Sequence, residues 1–510
     1  MKPLSKDALL VAPRQNLIDT ITSQNAQIET LQMRLQEVEF SLVWFQRQVF
    51  GTKSERFIPD DSQLSLDLGV VPVEQKVSHQ PVAAHTRTKA QPVQGHGRGA
   101  MPTHLPFEDH IIEPEQDVTG WVRIGEEVTW EYDYEPKSLF VRRYIRPKYV
   151  YPKNDDAGVV IGALPVRTVE KGIMGPGLLA DIVVDKYVYH MPLDRQRKKY
   201  EAEYKVTFAE SVLCDAVRNA AFWIEPIYNV LVEDLLKATY LQADETLIKV
   251  LWHELKGKAH TGWYWGYNDP IEKIVVFDFQ MTRGREGPNA FLEKFSGVLQ
   301  TDDYAGYTDV RARPDILWAA CMAHVRRKFN DCLTIDKERA SFALECIKSW
   351  FALEDQARAD GLGHATRLVM RQEQIKPSMD RIQEWLKEQV RNGLPKNPIT
   401  QAISYALNQW AGFTPFLTDG RIELSNNLDE NNMRPVAVGR KNYMFKGSPE
   451  AAKRGAMIYS ILATAKNHGL EPWGYLRDIL TYVPRATSSQ IRDFSPMYWS
   501  TMKEKYLPKK

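Results

Sequence analysis

Three acidic residues in unlike surroundings are the first candidates for chemistry in this 510-residue chain. Glu430 lies in the stretch Asn426 to Ser448, NNLDENNMRPVAVGRKNYMFKGS, with Arg434 one helical turn further on. Pro435 is expected to end that helix, because it lacks an N–H and clashes with the preceding turn. A basic, glycine-containing segment follows, with Gly439, Arg440, Lys441, Lys446 and Gly447. A carboxylate beside such a segment suits a site that holds a metal ion and a phosphodiester together; a solvated loop is the plainer reading. Asp244 in LQADETLIKVL (241–251) and Asp302 in VLQTDDYAGY (298–307) stand where short apolar strands run into acidic residues. A carboxylate held at a strand end can ligate a hard cation, and Mg²⁺ takes oxygen ligands, usually one or two carboxylates plus substrate phosphate. Two such ions about 3.5–4 Å apart clamp the attacking and leaving oxygens of an in-line phosphoryl displacement. With 65 acidic residues some carboxylate triple always exists, so spacing and surroundings must decide.

The elements between these acids give an order. After Asp244 come strand-like WYWGY (263–267) and KIVVFDF (273–279), a polar turn TRGREG (282–287) and a short helix-like AFLEKF (290–295). Beyond Asp302, ILWAACMAHVRRKF (316–329) reads as a buried strand passing into a basic helix. Strand, hairpin strands, helix, strand is the order of a ribonuclease-H-like core, although many α/β folds share it. From Asp302 to Glu430 is 128 residues, far more than one strand and one helix need. Helical periodicity across 335–412, as in SFALECIKSWFALEDQARA and MDRIQEWLKEQVRNGL, predicts a helical insertion whose role the sequence leaves open.

ADET (243–246), LQTDDYAGY (299–307), CMAHVRRKF (321–329), SNNLDENNMRPVAVGRKNYMFKGS (425–448) and ILATAKNHGLEPWGYLRDIL (461–480) together make the chain resemble the DDE transposases of the insertion sequence 66 family. FGTKSERF (50–57), RPKY (146–149) and KYVYHMPLDRQ (186–196) extend the resemblance over residues 15 to 500 or so, in family order. The resemblance implies that Asp244 is the first catalytic aspartate, Asp302 the second and Glu430 the glutamate, all three being metal ligands for Mg²⁺ or Mn²⁺. It implies a transposase that cuts element ends and joins the 3′-hydroxyl to target DNA by two-metal phosphoryl transfer. Three positions depart from the family pattern: Asp303 replaces a glycine, Asn431 an arginine and Ser425 an aspartate. Strand alternation puts Asp302 and Asp303 on opposite faces, so only one can ligate, and Asp302 is favoured. Two alternatives stay open: a nuclease of the same fold that cuts without strand transfer, and a non-catalytic DNA-binding scaffold derived from a transposase.

Charge and composition delimit the rest. Net charge is only +1, but Arg434 to Arg454 holds six cations against one anion, RRYIRPK (142–148) four cations and RQRKKY (195–200) four more. Such clusters supply the salt-sensitive, sequence-independent part of DNA affinity. Candidate phosphate contacts are Arg434, Arg440, Lys441 and Lys446, then Arg326, Arg327 and Lys328, then Arg142, Arg143, Arg146 and Lys148. A Cys321–His324 nucleophile pair is conceivable, but packing and phosphate contact account better for residues flanked by Arg326 to Lys328. The hydrophobic fraction of 43% and charged fraction of 26% are those of a soluble globular protein. No apolar run of membrane-spanning length and no signal-peptide core is present, and four scattered cysteines make no disulfide framework. A reducing cytoplasmic setting is expected, with nucleoid association on DNA binding.

The expected organisation is α+β/α/β and multidomain. Residues 14–57 carry the heptad seam Ile21, Ile28, Leu35, Leu42 and Val49, with Leu17, Leu31, Val38 and Phe45 between them and Gln24 as the one polar break, so a coiled coil and a homo-oligomer are expected. Residues 58–104 are a proline-punctuated linker and 105–170 a small β-rich module. The family usually has a cysteine zinc-ribbon-like element there; no cysteine precedes Cys214, so no zinc is expected. Residues 171–240 are helical and are assigned to end binding by analogy alone. The ribonuclease-H-like core takes 241–334 and 413–460, the insertion 335–412, and a C-terminal helical element 461–510. DNA is the expected partner, as terminal repeats and target; accessory proteins are possible and no membrane is involved.

Overall fold

Apolar runs and the turns that interrupt them account for the strands. A computed structural model of the protein describes residues 139–142, 148–150, 159–161, 166–169, 172–252, 258–391 and 393–507. Residues 139–142 belong to one compact unit and the remainder to another, which is the subject here. Strands β1 (Lys148–Val150) and β2 (Val159–Ile161) form an antiparallel pair. Strands β3 (Tyr240–Leu251), β4 (Ala259–Asp269) and β5 (Ile274–Gln280) form an antiparallel meander. The β4–β5 turn is tight because Asp269 Oδ1 accepts from the N–H groups of Ile271 and Glu272, and Lys273 adopts φ +57°. Strands β6 (Gly297–Thr301) and β7 (Ile316–Ala320) add in parallel on the other side of β3. The five-stranded mixed sheet has the order β5-β4-β3-β6-β7.

Helices cover both faces. The first three are α1 (Pro176–Tyr187), α2 (Leu193–Tyr204) and α3 (Glu210–Leu235). They share one core with β3–β5 and with the later helices α11 (Pro449–Asn467) and α12 (Pro472–Tyr482), through Ile182, Ile224, Phe277, Ile458 and Leu476 among others. Tyr228 of α3 donates to the Phe277 carbonyl of β5 at 3.0 Å. On the exposed side of β5, Thr464 and Ser460 of α11 accept from the N–H groups of Val275 and Phe277, at 3.0 and 2.8 Å. The helix thereby satisfies an edge that would otherwise offer free backbone groups. Short α4 (Glu286–Phe291) links β5 toward β6. After β7, α5 (Met322–Asp331), α6 (Lys337–Ala359), α7 (His364–Met370), α8 (Lys376–Arg391) and α9 (Pro398–Asn408) build a second core around Trp350, Ile382 and Phe413. Helix α10 (Asn427–Tyr443) then crosses β3 and β4.

Several expectations change. Pro435 does not end its helix: α10 runs through it to Tyr443, and the segment read as a basic loop is mostly helical. The hydrogen bond that Pro435 forfeits belongs to the carbonyl of Asn431, which is exposed, while Met433, Val436 and Gly439 bury the opposite stripe. The basic cluster RQRKKY lies within α2. The short helix expected at 290–295 lies one turn earlier, at α4. The boundary placed between 460 and 461 falls inside α11, and the helices of 171–240 are packed into the sheet's own core rather than standing apart. The coiled-coil seam, the linker, most of the 105–170 module, Arg143 and Arg146 lie outside the described residues, as does the side chain of Lys148.

Candidate active site

A row of amides fixes the row of acids next to it. Gln242 of β3 is opposite Asn268 of β4 and beside Gln300 of β6. The three side chains share one face, since Asn268 Nδ2 donates to Gln242 Oε1 at 3.2 Å and Gln242 Nε2 to Gln300 Oε1 at 2.9 Å. Strand side chains alternate with period two. The next row on that face is therefore Gly266, Asp244 and Asp302, with Asp244 directly opposite Gly266 and Asp302 just past the end of β6.

The amide row also sets the helix above the acids. Gln300 Nε2 donates to the Glu423 carbonyl at 2.8 Å, Gln242 Nε2 to that of Ser425 at 3.1 Å, and Glu423 N to the Tyr240 hydroxyl at 3.1 Å. Met322 N donates to the Leu424 carbonyl at 3.0 Å. Held by these bonds, the 423–426 strap delivers the first turn of α10, with Asp429 and Glu430, over the acidic row. Helix N-termini favour negative charge, which lowers the cost of placing two acids there.

The electrostatics are those of crowded, dry carboxylates. Asp244 is pushed up to about 8, by burial first, then by Glu245, and further by Glu430 and Asp302; the Glu245 N–H, donating at 2.9 Å, opposes this. Asp429 is 0% exposed and is raised well above the usual range by burial, then by Asp244, Glu430 and Glu245. Neither of its carboxylate oxygens has a hydrogen-bond partner. Glu245 points to the other face, where burial raises it and Arg283 Nε, donating at 3.0 Å, counters. Arg283 itself lies over the rings of Tyr304 and Trp263, at 3.8 and 4.8 Å. Asp302 Oδ1 accepts from Tyr304 N at 2.9 Å, while Asp303 turns to Arg311 at 3.2 Å with its side chain 46% exposed. Among the described residues no group of three or more His, Cys, Asp or Glu side chains is drawn tightly enough to hold a metal ion as it stands. The backbone brings the carboxylates side by side; their rotamers are not yet gathered on one point.

The basic candidates divide into three groups. Arg434, Lys441, Arg326, Arg327, Lys328 and Arg142 are exposed. Arg440 is spent on β3, its Nη1 donating to Thr246 Oγ1 at 3.0 Å and to the Leu247 carbonyl at 2.7 Å. Lys446 must be corrected: it is 6% exposed, and its ammonium faces the rings of Tyr443, Tyr187 and Tyr459 at 4.7 to 5.4 Å. Its backbone bridges to β3, donating to the Lys249 carbonyl and accepting from Leu251 N. In this position it anchors the chain after α10 to β3 rather than projecting into solvent. Cys321 is buried as well, and burial pushes its thiol up to about 12, so it stays protonated and offers no nucleophile.

Asp429, Glu245 with Arg283, and the amide row were not singled out from sequence. A signal for the row was present: β3 and β6 carry the same Leu-Gln-x-Asp pattern, Leu241 to Asp244 and Leu299 to Asp302. A glutamine two residues before each acid, inside an otherwise apolar strand, marks one shared face.

Comparison with known proteins gives the same direction. A family model described as Transposase IS66 family matches residues 171–454, and one described as Transposase C of IS166 homeodomain matches residues 37–109. Two relatives from Sinorhizobium fredii are similar over most of their length. The uncharacterized protein y4jD is 30% identical, covering 92% of this chain and 96% of its own. The uncharacterized protein y4hP is 29% identical, covering 91% and 88%. Among the described residues no helix is long and apolar enough to cross a membrane.

Proposed function

The chain belongs to the IS66 family of transposases, and from that premise we propose that it cuts the ends of a mobile DNA element and joins the freed 3′-hydroxyls to target DNA, with Asp244, Asp302 and Glu430 as its catalytic carboxylates. The observation that carries this reading is the acidic row Asp244–Asp302 beneath the first turn of α10. An antiparallel meander extended in parallel by two further strands, in the order β5-β4-β3-β6-β7, supports a ribonuclease-H-like core with α6–α9 as its helical insertion.

Mg²⁺ or Mn²⁺ fits the donors present, which are carboxylate oxygens close enough for Glu430 and Asp302 to raise Asp244 and, in Asp429, wholly without partners. Asp244, Asp302 and Glu430 would hold the ion after modest rotation of their side chains. Once bound, such an ion supplies Lewis acidity and charge neutralisation for in-line displacement at phosphorus. The chain's own residues do the rest. Asp302 and Asp244 are set by strand backbone and Glu430 by a helix clamped at both ends, by the 423–426 strap and by Arg440 with Lys446. Arg434 and Lys441 project from the outer face of α10, and Arg326 to Lys328 from α5, where they can neutralise flanking phosphates. The heptad seam of residues 14–57 would bring two copies, and so two element ends, together.

The test is the purified full chain with Mg²⁺, labelled element-end DNA and a target plasmid. Wild type should give cleaved ends and joined products, whereas Asp244→Asn, Asp302→Asn and Glu430→Gln should lose both and keep end binding. Cleavage with no joining would replace this reading by a nuclease. Binding with neither reaction would replace it by a scaffold.

A further inference from the structure

Helix α10 presents two acids in its first turn, and only one of them is accounted for. Consecutive helical residues point about 100° apart, since 3.6 residues make a turn. The charge of Glu430 acts on Asp244 and on Cys321, which follows β7. Asp429 lies over β4: a methyl built on Gly266 would stand 3.3 and 3.4 Å from its two carboxylate oxygens and 2.5 Å from the Met433 Cε. Gly266 is directly opposite Asp244, and side chains so paired have Cβ positions about 4.5–5.5 Å apart. The Asp429 carboxylate is therefore suspended beside Asp244, over a spot left open because residue 266 has no side chain.

Its environment lacks a counter-charge. Asp429 is 0% exposed, neither oxygen has a partner, and the charges that act on it come from Asp244, Glu430 and Glu245, all acids. Three cations on β3 and its neighbours have partners of their own: Arg283 pairs with Glu245 on the opposite face, Arg440 with Thr246 and Leu247, and Lys446 faces its three tyrosines. A buried carboxylate is normally paired, hydrogen-bonded or bound to a metal. We propose that Asp429 is a fourth carboxylate of the site, ligating a divalent cation together with Asp244 on the β4 side, distinct from the position shared by Asp244, Asp302 and Glu430. This inference rests on the metal-binding reading of the acidic row. It adds a fourth carboxylate ligand to that reading and assigns it to a cation on the β4 side.

The experiment counts Mn²⁺ ions bound by the full chain without DNA, by calorimetry and by the loss of free Mn²⁺ signal in electron paramagnetic resonance. Wild type, Asp429→Asn, Asp244→Asn and Asp303→Asn are compared, each with its melting temperature recorded with and without Mn²⁺. Asn is isosteric and uncharged, so Asp429→Asn should fold and melt higher than wild type in the absence of metal. It should bind one ion fewer, or bind the weaker ion at least about tenfold less tightly, the scale on which even outer-shell partners affect metal affinity. Asp303→Asn should match wild type. Wild-type stoichiometry and affinity in Asp429→Asn, alongside loss in Asp244→Asn, would overturn this inference alone and leave Asp429 a buried neutral acid. No Mn²⁺ bound by wild type would overturn the metal-binding reading with it.

Discussion

Two clusters of buried charge in this protein are handled in opposite ways. In the helical segment after β7, Glu354 and Arg371 are both 0% exposed. Arg371 donates to Glu354 at 2.6 and 2.9 Å and to the carbonyls of Phe416 and Asp419 at 3.0 Å each. Arg367 binds Glu354 and reaches Glu423 at 3.1 Å, and Arg358 adds to Glu423 at 3.7 Å, so both acids are met by arginines of the same segment. Burial works against the Glu354 carboxylate, yet hydrogen bonds and charge from Arg371 and Arg367 hold it below its ordinary range. Around β3 the balance is absent: Asp244 is raised by burial and by Glu245, Glu430 and Asp302, and Asp429 by burial and by Asp244, Glu430 and Glu245, and among the described residues no cation is among the charges that shift either. A cluster closed by the chain itself is a fastener. One left open asks for something from outside, and that difference locates the site without reference to any motif.

Breaking the closed cluster should have the largest effect. Glu354→Ala strands two buried arginines and should cost about 3–5 kcal/mol in urea unfolding, since removing one partner leaves uncompensated charge. Because the folded-state value of Glu354 is depressed, its contribution is present above the ordinary carboxylate range near 4.5 and is lost as pH falls through the lower folded value. The open cluster should respond with the opposite sign. Asp244→Asn should stabilise the metal-free protein by about 1–3 kcal/mol at pH 8, the scale of an unmet buried polar group. With Asp244 raised from 3.8 to about 8, wild-type stability should decline as pH rises through that window, and divalent cation should reverse the decline. A melting-temperature series against pH, with and without Mg²⁺, reads both effects.

The extent to which the sequence reveals these features follows the range of the interactions. Apolar runs broken by turns were enough for the order of β3 to β7, and Asp302 follows the end of β6 as the strand pattern places it, whereas Asp244 sits inside β3, which continues to Leu251. Pro435 misled because a local rule about a missing N–H was set against burial of Met433 and Val436 on the sheet, which only the fold supplies. Glu354, Arg367 and Arg371 look like solvated positions of amphipathic helices; their closure depends on α6, α7 and the strap at Glu423 meeting in space. Asp429 was passed over for the same reason, since adjacency to Glu430 in sequence does not say which faces β4.

Lys446 sharpens the comparison as a third case, a buried cation met by rings. Burial pushes its ammonium well below the usual range, and the three tyrosine faces offset part of that cost. Its depressed value means that stability should rise with pH up to the ordinary lysine range near 10.5. Lys446→Met should shift stability by about 1 kcal/mol or less and leave the salt dependence of DNA binding unchanged. Lys441→Ala, by contrast, should lower that salt slope by about one. The smallest effect belongs to Asp303→Asn, which removes a half-exposed pair with Arg311 and should alter stability by no more than about 0.5 kcal/mol, with end cleavage retained.

The central claim, that the open acidic cluster is a divalent-cation site, is tested most directly by anomalous scattering from crystals of the chain grown with Mn²⁺. Density is expected within ligand distance of Asp244, shared with Asp302 and Glu430, with a second peak beside Asp429. Ordered carboxylates with no anomalous peak among them, at a Mn²⁺ concentration that supports cleavage in solution, would contradict it.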